Sequence, residues 1–178
     1  MYADAIIAGF GGQGILLAGT LLAHAAMDHG LHTTFIPVYG PEMRGGTANC
    51  TVVISDEEIG SPIVVRPVTI LVLNRPSLEK FQPQLVNGGI CVLNSSLIEP
   101  ELADTPRITA YAVDCNGIAD TLGNTRLVNM VALGAYLKAT HVLPLKVVQA
   151  NLSHVISANY KHLLDSNSQV LQAGYDAV

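Results

Sequence analysis

The sequence predicts an α/β protein of three layers, in which helices flank a mostly parallel, Rossmann-like β-sheet. Two observations predict this class. Short apolar runs typical of buried strands alternate with helical patterns, and the first strand meets a glycine-rich loop that opens a helix. No internal repeat or low-complexity linker divides the 178 residues, so we expect a single domain spanning residues 1–178.

The first elements are a strand, a glycine loop, a helix and a second strand. Residues 5–8 form a buried-strand run, and apolar residues then recur at helical spacing over residues 15–25. Gly30 is placed to end this helix, because glycine readily takes the left-handed conformation just after a helix. Residues 32–38 complete a βαβ unit, and the β-branched run 48–54 predicts a third strand.

The rest of the chain continues the alternation and then becomes helical. Residues 68–73 predict a strand, and the next helix begins near Pro76 and is limited by Pro83. Two more apolar runs predict strands at residues 90–93 and 108–113. The remaining predicted helices are a short one through Ile118, a strong one over Arg126–Lys138, one from Pro144 to about Ser157, and a weakly helical tail after Lys161.

A glycine loop joins the first strand to the first helix with the spacing G-x-G-x-x-G. Glycines let the backbone approach an anion, and the helix behind them directs unpaired N–H groups at it. The candidate ligand-binding residues here are Gly9, Gly11, Gly12, Gln13 and Gly14. No Asp or Glu ends the 32–38 strand to bind a ribose hydroxyl, which weakens a dinucleotide interpretation. A tight turn that needs glycine only for packing is the other interpretation.

A second loop, residues 39–46, carries the first cation of the chain, Arg44. A guanidinium can bind a carboxylate or phosphate in bidentate fashion, and in a parallel sheet both loops leave the same edge. We therefore expect them to face one ligand. The candidate residues are Tyr39, Gly40, Glu42, Arg44, Gly45 and Gly46. The alternative is that Arg44 pairs with Glu42 and only holds the shape of the loop.

Composition excludes several classes of protein. With 9 Lys and Arg against 14 Asp and Glu, the chain has a net charge of −5 and no basic stripe for nucleic acid. Charged residues make up only 13% and hydrophobic residues 49%, which favours an obligate subunit with a buried interface. Glycines interrupt the uncharged N-terminal run, which argues against a membrane span, and the acidic start argues against a signal peptide.

The cysteines and the remaining polar residues give no catalytic or metal site. Cys50, Cys91 and Cys115 are far apart, so this chain alone assembles no iron–sulfur cluster or zinc site, and a reduced, cytoplasmic setting fits. Cys115 follows a strand, but a buried structural role is commoner than a nucleophilic one. Asn129 lies at the start of the strong helix, which Asn124 or Thr125 is expected to cap, and its side chain is expected to bond across to a loop.

Four motifs together resemble a known family, the γ subunits of 2-oxoacid:ferredoxin oxidoreductases of the pyruvate, 2-oxoglutarate and 2-ketoisovalerate types. The motifs are Gly9-Phe10-Gly11-Gly12-Gln13-Gly14, Tyr39-Gly40-Pro41-Glu42-Met43-Arg44-Gly45-Gly46 with Ala48-Asn49-Cys50, Ser55-Asp56-Glu57-Glu58-Ile59-Gly60-Ser61-Pro62, and Asn124-Thr125-Arg126-Leu127-Val128-Asn129-Met130. They cover nearly the whole chain. One departure is Arg66-Pro67-Val68-Thr69, where an acidic residue often stands in the family.

The resemblance implies one γ-type domain of a complex that converts a 2-oxoacid and coenzyme A to an acyl-CoA by oxidative decarboxylation, with 2-oxoglutarate favoured. It implies that thiamine diphosphate with Mg and the iron–sulfur clusters belong to partner chains: α, β and a ferredoxin-like δ subunit. Ferredoxin would accept the electrons, and the isolated chain would be inactive. The alternative function is a free-standing Rossmann-type oxidoreductase that binds NAD or FAD.

Overall fold

A computed structural model describes residues 1–38 and 47–178, and its described residues form one six-stranded sheet with helices on both faces. The strands are β1 (Tyr2–Phe10), β2 (His32–Val38), β3 (Thr47–Ser55), β4 (Thr69–Val72), β5 (Ile90–Asn94) and β6 (Thr109–Val113). The helices are α1 (Ile15–Asp28), α2 (Arg75–Phe81), α3 (Cys115–Thr121), α4 (Val128–Thr140), α5 (Leu145–Ala150), α6 (Leu152–Val155) and α7 (Leu164–Asp176). The α/β class is confirmed.

The sheet has the order β2-β3-β1-β4-β5-β6 and is mostly parallel. Strand β1 pairs in parallel with β4, β4 with β5, and β5 with β6, whereas β3 runs antiparallel to both of its neighbours. Strands β1 and β2 therefore point the same way, as the predicted βαβ unit requires, but β3 lies between them. The sequence pattern did not reveal this insertion, because a buried apolar strand looks the same in either direction.

Both faces of the sheet are packed, which explains the continuous apolar character of the central strands. Along β1, Ile7 faces a core that includes Leu21 and Leu22 of α1 and most of α4. Its neighbours Ile6 and Ala8 face the opposite core. That second core is closed by Leu78 and Phe81 of α2 and by the loop residues Leu85, Ile98 and Ala103. The alternation thus produces the three layers.

Helices α4 and α7 pack through glycines. A Cβ atom on Gly134 would overlap the carbonyl oxygen of Leu171, and one on Gly174 would overlap the carbonyl of Val131. The C-terminal segment is therefore a core helix of 13 residues, and the expectation of weak helicity underestimated it. Its buried residues are Asn167, Val170, Leu171 and Gly174, so only two large apolar side chains indicate the contact face in the sequence.

The helix ends follow the predictions in part. Gly30, with φ 81°, ends α1, and the N–H groups of Gly30 and Leu31 bond the carbonyls of Met27 and Ala26 in a Schellman motif. The predicted Asn124 or Thr125 cap was wrong, because α4 begins only at Val128, after Leu127, without a side-chain cap. The long helix predicted from Pro144 is divided into α5 and α6. No helix within the described ranges is both long and apolar enough to cross a membrane.

Candidate functional site

The connections of the sheet reverse direction between β1 and β4. Strand β1 leads into α1 on one face of the sheet, and its neighbour β4 leads into α2 on the other face. In open α/β sheets ligands bind at such a switch point, outside the carboxyl ends of the two strands. The Gly9–Gly14 segment begins with the last two residues of β1 and continues past the carboxyl end of the strand, so it lies at this position.

The backbone of the glycine loop has a defined shape. Gly12 and Gly14 have φ angles of 91° and 72°, which other residues rarely adopt. The side-chain oxygen of Gln13 accepts the Phe10 N–H at 2.6 Å, and the Gln13 N–H donates to the Phe10 carbonyl at 3.2 Å. Gln13 thus closes the loop from within. A Cβ on Gly9 would meet this same Gln13 oxygen, so part of the glycine requirement is packing.

The helix behind the loop leaves its first N–H groups available. Helix α1 begins after Gly14 with no side-chain cap and no acidic residue in its first turn. The first turn of any helix has N–H groups without partners inside the helix, and its N-terminus carries a partial positive charge. Gly11 and Gly12 are exposed in front of it. This arrangement can bind an anion.

Asn129 connects the glycine loop to α4, as the sequence analysis expected. Its side-chain amide donates to the carbonyl oxygen of Gly14 at 3.1 Å. Asn129 is 3% exposed, and a Cβ on Gly14 would overlap its amide nitrogen. The first and fourth of the sequence motifs therefore meet in space, although 115 residues separate Gly14 from Asn129.

A cavity of about 310 Å³ opens at the start of α4. It is lined by Asn124, Thr125 and Arg126, together with residues from the start of α7. Because Asn129 contacts Gly14, this cavity is at the glycine-loop end of α4. Arg126 is exposed and forms no ion pair with another described residue. Sequence analysis treated Asn124 and Thr125 only as a helix start and gave Arg126 no role at the site.

Polar side chains also end the other parallel strands, which the sequence analysis missed. Asn74 follows β4 and caps α2 by accepting the Ser77 N–H at 2.9 Å, and Asn94 ends β5 and accepts the N–H groups of Ser96 and Cys115. After β6, a hydrogen bond from the Ser96 hydroxyl lowers the pKa of Asp114, and a weaker contribution comes from the Gly117 N–H. These residues shape the turns at the carboxyl edge of the sheet. In the sequence, an Asn or Asp directly after each apolar run indicates such a turn.

The second predicted loop lies outside the described residues. Tyr39, Gly40, Glu42, Arg44, Gly45 and Gly46 all belong to it. The strands on either side of it are described: Val38 ends β2 opposite Asn49, and β3 begins at Thr47 opposite Phe10. Both strand ends are therefore at the carboxyl edge of β1, where the glycine loop begins. The position of β3 also separates the end of β2 from β1, so the arrangement differs from a dinucleotide site built on adjacent strands.

The cysteines do not fit a metal or catalytic role. Cys50, Cys91 and Cys115 are free and fully buried on separate elements, and burial raises the pKa of each thiol to about 12. Within residues 1–38 and 47–178, no group of three or more His, Cys, Asp or Glu side chains comes together. The three buried thiols on separate elements therefore do not fit an iron–sulfur cluster.

Fold and site together define an α/β protein with a shaped glycine loop at the switch point of a mostly parallel sheet. The sequence profile of the family "Pyruvate ferredoxin/flavodoxin oxidoreductase" matches residues 4–177, and the chain belongs to this family.

Two relatives of the chain are themselves named as enzyme subunits. The chain is 38% identical to the ketoisovalerate oxidoreductase subunit VorA of Methanothermobacter thermautotrophicus over 94% of its length, but it spans only 35% of that relative. It is 33% identical to the 2-oxoglutarate synthase subunit KorC of Methanothermobacter marburgensis, covering 97% of this chain and 94% of KorC.

A solved structure has the same fold. The γ subunit of a keto/oxoacid ferredoxin oxidoreductase from Geobacter sulfurreducens superposes with a TM-score of 0.86 at 24% identity, covering 99% of this chain and 96% of that one.

Proposed function

We propose that this chain is the γ subunit of a 2-oxoacid:ferredoxin oxidoreductase complex that converts a 2-oxoacid and coenzyme A to an acyl-CoA and CO₂. The observation that carries the proposal is the nearly end-to-end match to KorC, together with family membership over residues 4–177. In this reaction the carbon–carbon bond to the carboxylate breaks, a thioester forms, and two electrons pass to ferredoxin. Residues 1–178 act as one γ-type domain.

The glycine loop and Arg44 hold an anionic group in this proposal. The loop N–H groups at the switch point suit a phosphate of coenzyme A or the carboxylate of the 2-oxoacid. The guanidinium of Arg44 adds a bidentate charge partner. The strand ends at Val38 and Thr47, which border the glycine-loop edge of the sheet, support this pairing.

The chain contributes binding and orientation, and the redox chemistry belongs to other subunits. Thiamine diphosphate with Mg on partner chains supplies the decarboxylation, and iron–sulfur clusters carry the electrons. The buried thiols, each with a pKa raised to about 12, support this division because thiolates are needed to bind a cluster.

The partners are an α and a β subunit and a ferredoxin-like δ subunit, with ferredoxin as the acceptor in the cytoplasm. Exposed apolar side chains support a subunit role. Ile63 and Val65, which follow the third sequence motif, are each 73% exposed, and Tyr2 is 58% exposed. Such side chains are typical of surfaces that a partner covers. Membership of the family gives no support to the alternative of a free-standing NAD or FAD enzyme.

We infer that 2-oxoglutarate is the preferred substrate. KorC, which the chain matches along nearly its whole length, is named for 2-oxoglutarate, whereas the VorA relative is much longer than this chain. In this proposal the choice between oxoacids depends on the partner chains as well.

The test is an anaerobic purification of the tagged chain at native abundance, with mass spectrometry of the co-eluting proteins. Reduction of a dye is then measured with coenzyme A and 2-oxoglutarate, pyruvate or 2-ketoisovalerate. We expect a thiamine-binding subunit and a cluster protein to co-elute, with CoA-dependent activity highest on 2-oxoglutarate. Highest activity on another oxoacid would overturn the substrate preference alone. Elution of the chain by itself, without activity, would overturn the subunit proposal.

A further inference from the structure

The carbonyl oxygen of Gly14 accepts two hydrogen bonds from different parts of the protein. The first is the Ala18 N–H at 3.1 Å, which is the first bond of α1. The second is the Asn129 side-chain amide, also at 3.1 Å, from the second residue of α4. The residue at which the loop becomes a helix is thus tied both to its own helix and to a distant one.

The helix that supplies Asn129 is firmly held. Every residue of α4 from Asn129 to Leu137 is buried, and the helix packs closely on α7 through Gly134. A group that is hydrogen-bonded to such a helix is held in a fixed position. The glycine loop itself has only one internal side-chain bond, the Gln13 oxygen to the Phe10 N–H. Its shape therefore depends on two amides, one inside the loop and one from α4.

A buried asparagine is not the residue that packing alone would select at this position. A leucine at a buried position has no amide to desolvate, and the cost of a buried amide is recovered only through its hydrogen bonds. Asn129 directs its single described bond to the loop and not to its own helix. By contrast, Asn151 and Asn167 donate to carbonyls four residues earlier in their own chain segments.

We propose that Asn129 is a positioning residue of the anion site: its bond to Gly14 keeps the glycine-loop N–H groups in the orientation that binds the anionic group of coenzyme A or of the 2-oxoacid. This inference rests on the proposed function for its substrates. Its structural part, the anchoring of the loop, stands independently. Preorganised donors bind an anion without the cost of ordering the loop, so loss of the anchor weakens binding more than turnover.

The experiment compares three variants of the full chain. Asn129→Leu removes the donor and fills the space. Asn129→Asp keeps the shape, but its ionised carboxylate cannot donate to the Gly14 carbonyl, whereas its protonated form can. Asn151→Leu is the matched control, because Asn151 is 4% exposed and its amide also donates to a carbonyl at 3.1 Å, that of Val147, away from the loop.

The first readout needs no substrate. Amide hydrogen exchange of residues 10–17 is measured in the full chain, and we expect it to become faster in Asn129→Leu but not in Asn151→Leu. Unchanged exchange in Asn129→Leu would overturn the anchoring role, whatever the activity of the protein.

The second readout is kinetic and uses the purified complex. We expect the KM for coenzyme A or for the 2-oxoacid to rise about five- to tenfold in Asn129→Leu, which corresponds to one lost hydrogen bond, with kcat nearly unchanged. In Asn129→Asp the same rise should shrink as the pH is lowered from about 8 to about 6, because burial keeps the pKa of a carboxyl high. The defect of Asn129→Leu should not depend on pH.

The kinetic outcomes separate the two proposals. A normal KM in Asn129→Leu, in an active complex, would overturn the positioning role, and a defect in Asn129→Asp alone would point to charge repulsion instead. A wild-type complex without CoA-dependent oxidation of a 2-oxoacid would overturn the proposed function, and with it the substrate part of this inference. The exchange result would still decide whether Asn129 anchors the loop.

Discussion

Gly174 of α7 lies directly against the backbone carbonyl of Val131 in α4, with no room for a side chain between the two helices. Gly134 has the same relationship with the carbonyl of Leu171, so the contact is reciprocal. The axes of the two helices approach closely because both positions lack a Cβ atom. This contact fixes α4, and α4 in turn carries the asparagine that bonds the glycine loop.

The first prediction is that Gly174→Ala destabilises the chain. The new methyl group meets backbone, which cannot rotate away, and overpacking of this kind costs about 1–3 kcal/mol. Because the clash is with backbone, we expect a cost in the upper part of this range, above the gain of about 1 kcal/mol that alanine normally brings in a helix interior. We expect a lower Tm in calorimetry. Gly60→Ala is the control, because a Cβ at Gly60 meets no atom within 4 Å, and its Tm should stay close to that of the wild type. Equal Tm values for both variants would contradict the close contact.

The second prediction concerns the thiols. Burial raises the pKa of Cys50, Cys91 and Cys115 to about 12, so at pH 8 only about one thiol in ten thousand is ionised. A thiol reagent should therefore not label the native chain within minutes. The same reagent should titrate all three cysteines in denaturant. Rapid labelling of a single cysteine in the native chain would show that one of them is accessible.

Sequence patterns predicted the elements of this fold well wherever one local rule decides the structure. The β2 bounds, the left-handed Gly30 after α1 and the bond from Asn129 to a loop all follow from periodicity, helix capping or the cost of a buried amide. The insertion of β3 between β1 and β2 did not, since strand direction is a property of the whole sheet. Helix α7 was underestimated because a glycine contact leaves little apolar signal.

The candidate site was predictable only in part. The glycine spacing located the loop at the end of β1, and the structure adds the internal bond to Gln13 that defines its shape. The switch point beside it depends on the faces chosen by α1 and α2, which no local pattern encodes. Arg126 was missed because its surroundings become visible only when α4 and α7 are packed together. The roles of the 39–46 loop remain predictions.

The third prediction is that Asp4→Asn stabilises the chain at neutral pH. Asp4 is 3% exposed, and burial raises its pKa, although the bond from the Val68 N–H, at 2.7 Å, acts in the opposite direction. A carboxyl with a raised pKa in the folded state binds its proton more tightly there than in the unfolded chain. Stability therefore falls as the pH rises from the unfolded pKa through the folded pKa.

An asparagine at position 4 keeps an oxygen for the Val68 N–H and has no charge to bury. The variant should therefore lose this pH dependence and be more stable than the wild type above the folded pKa. Urea unfolding between about pH 4 and pH 8 measures the difference. Glu58→Gln, at an exposed acid, is the control and should leave the profile of the wild type unchanged. A parallel shift of the whole curve in Asp4→Asn would contradict the titration of Asp4.

The fourth prediction tests the charge partner of the glycine loop. Arg44→Ala in the purified complex should raise the KM for coenzyme A or for the 2-oxoacid at least about tenfold, because a hydrogen bond to a charged group contributes about 1.5–3 kcal/mol. Arg44→Lys should recover only part of this, since an ammonium cannot form the bidentate pair. Arg66→Ala removes an exposed arginine elsewhere and controls for the change in net charge.

The affected substrate identifies the anion. A rise in KM for coenzyme A alone points to its phosphates, and a rise in KM for the oxoacid alone points to its carboxylate. Unchanged KM values for both substrates in Arg44→Ala would leave Arg44 with the role of holding its loop through Glu42, and the anion site would then consist of backbone donors alone.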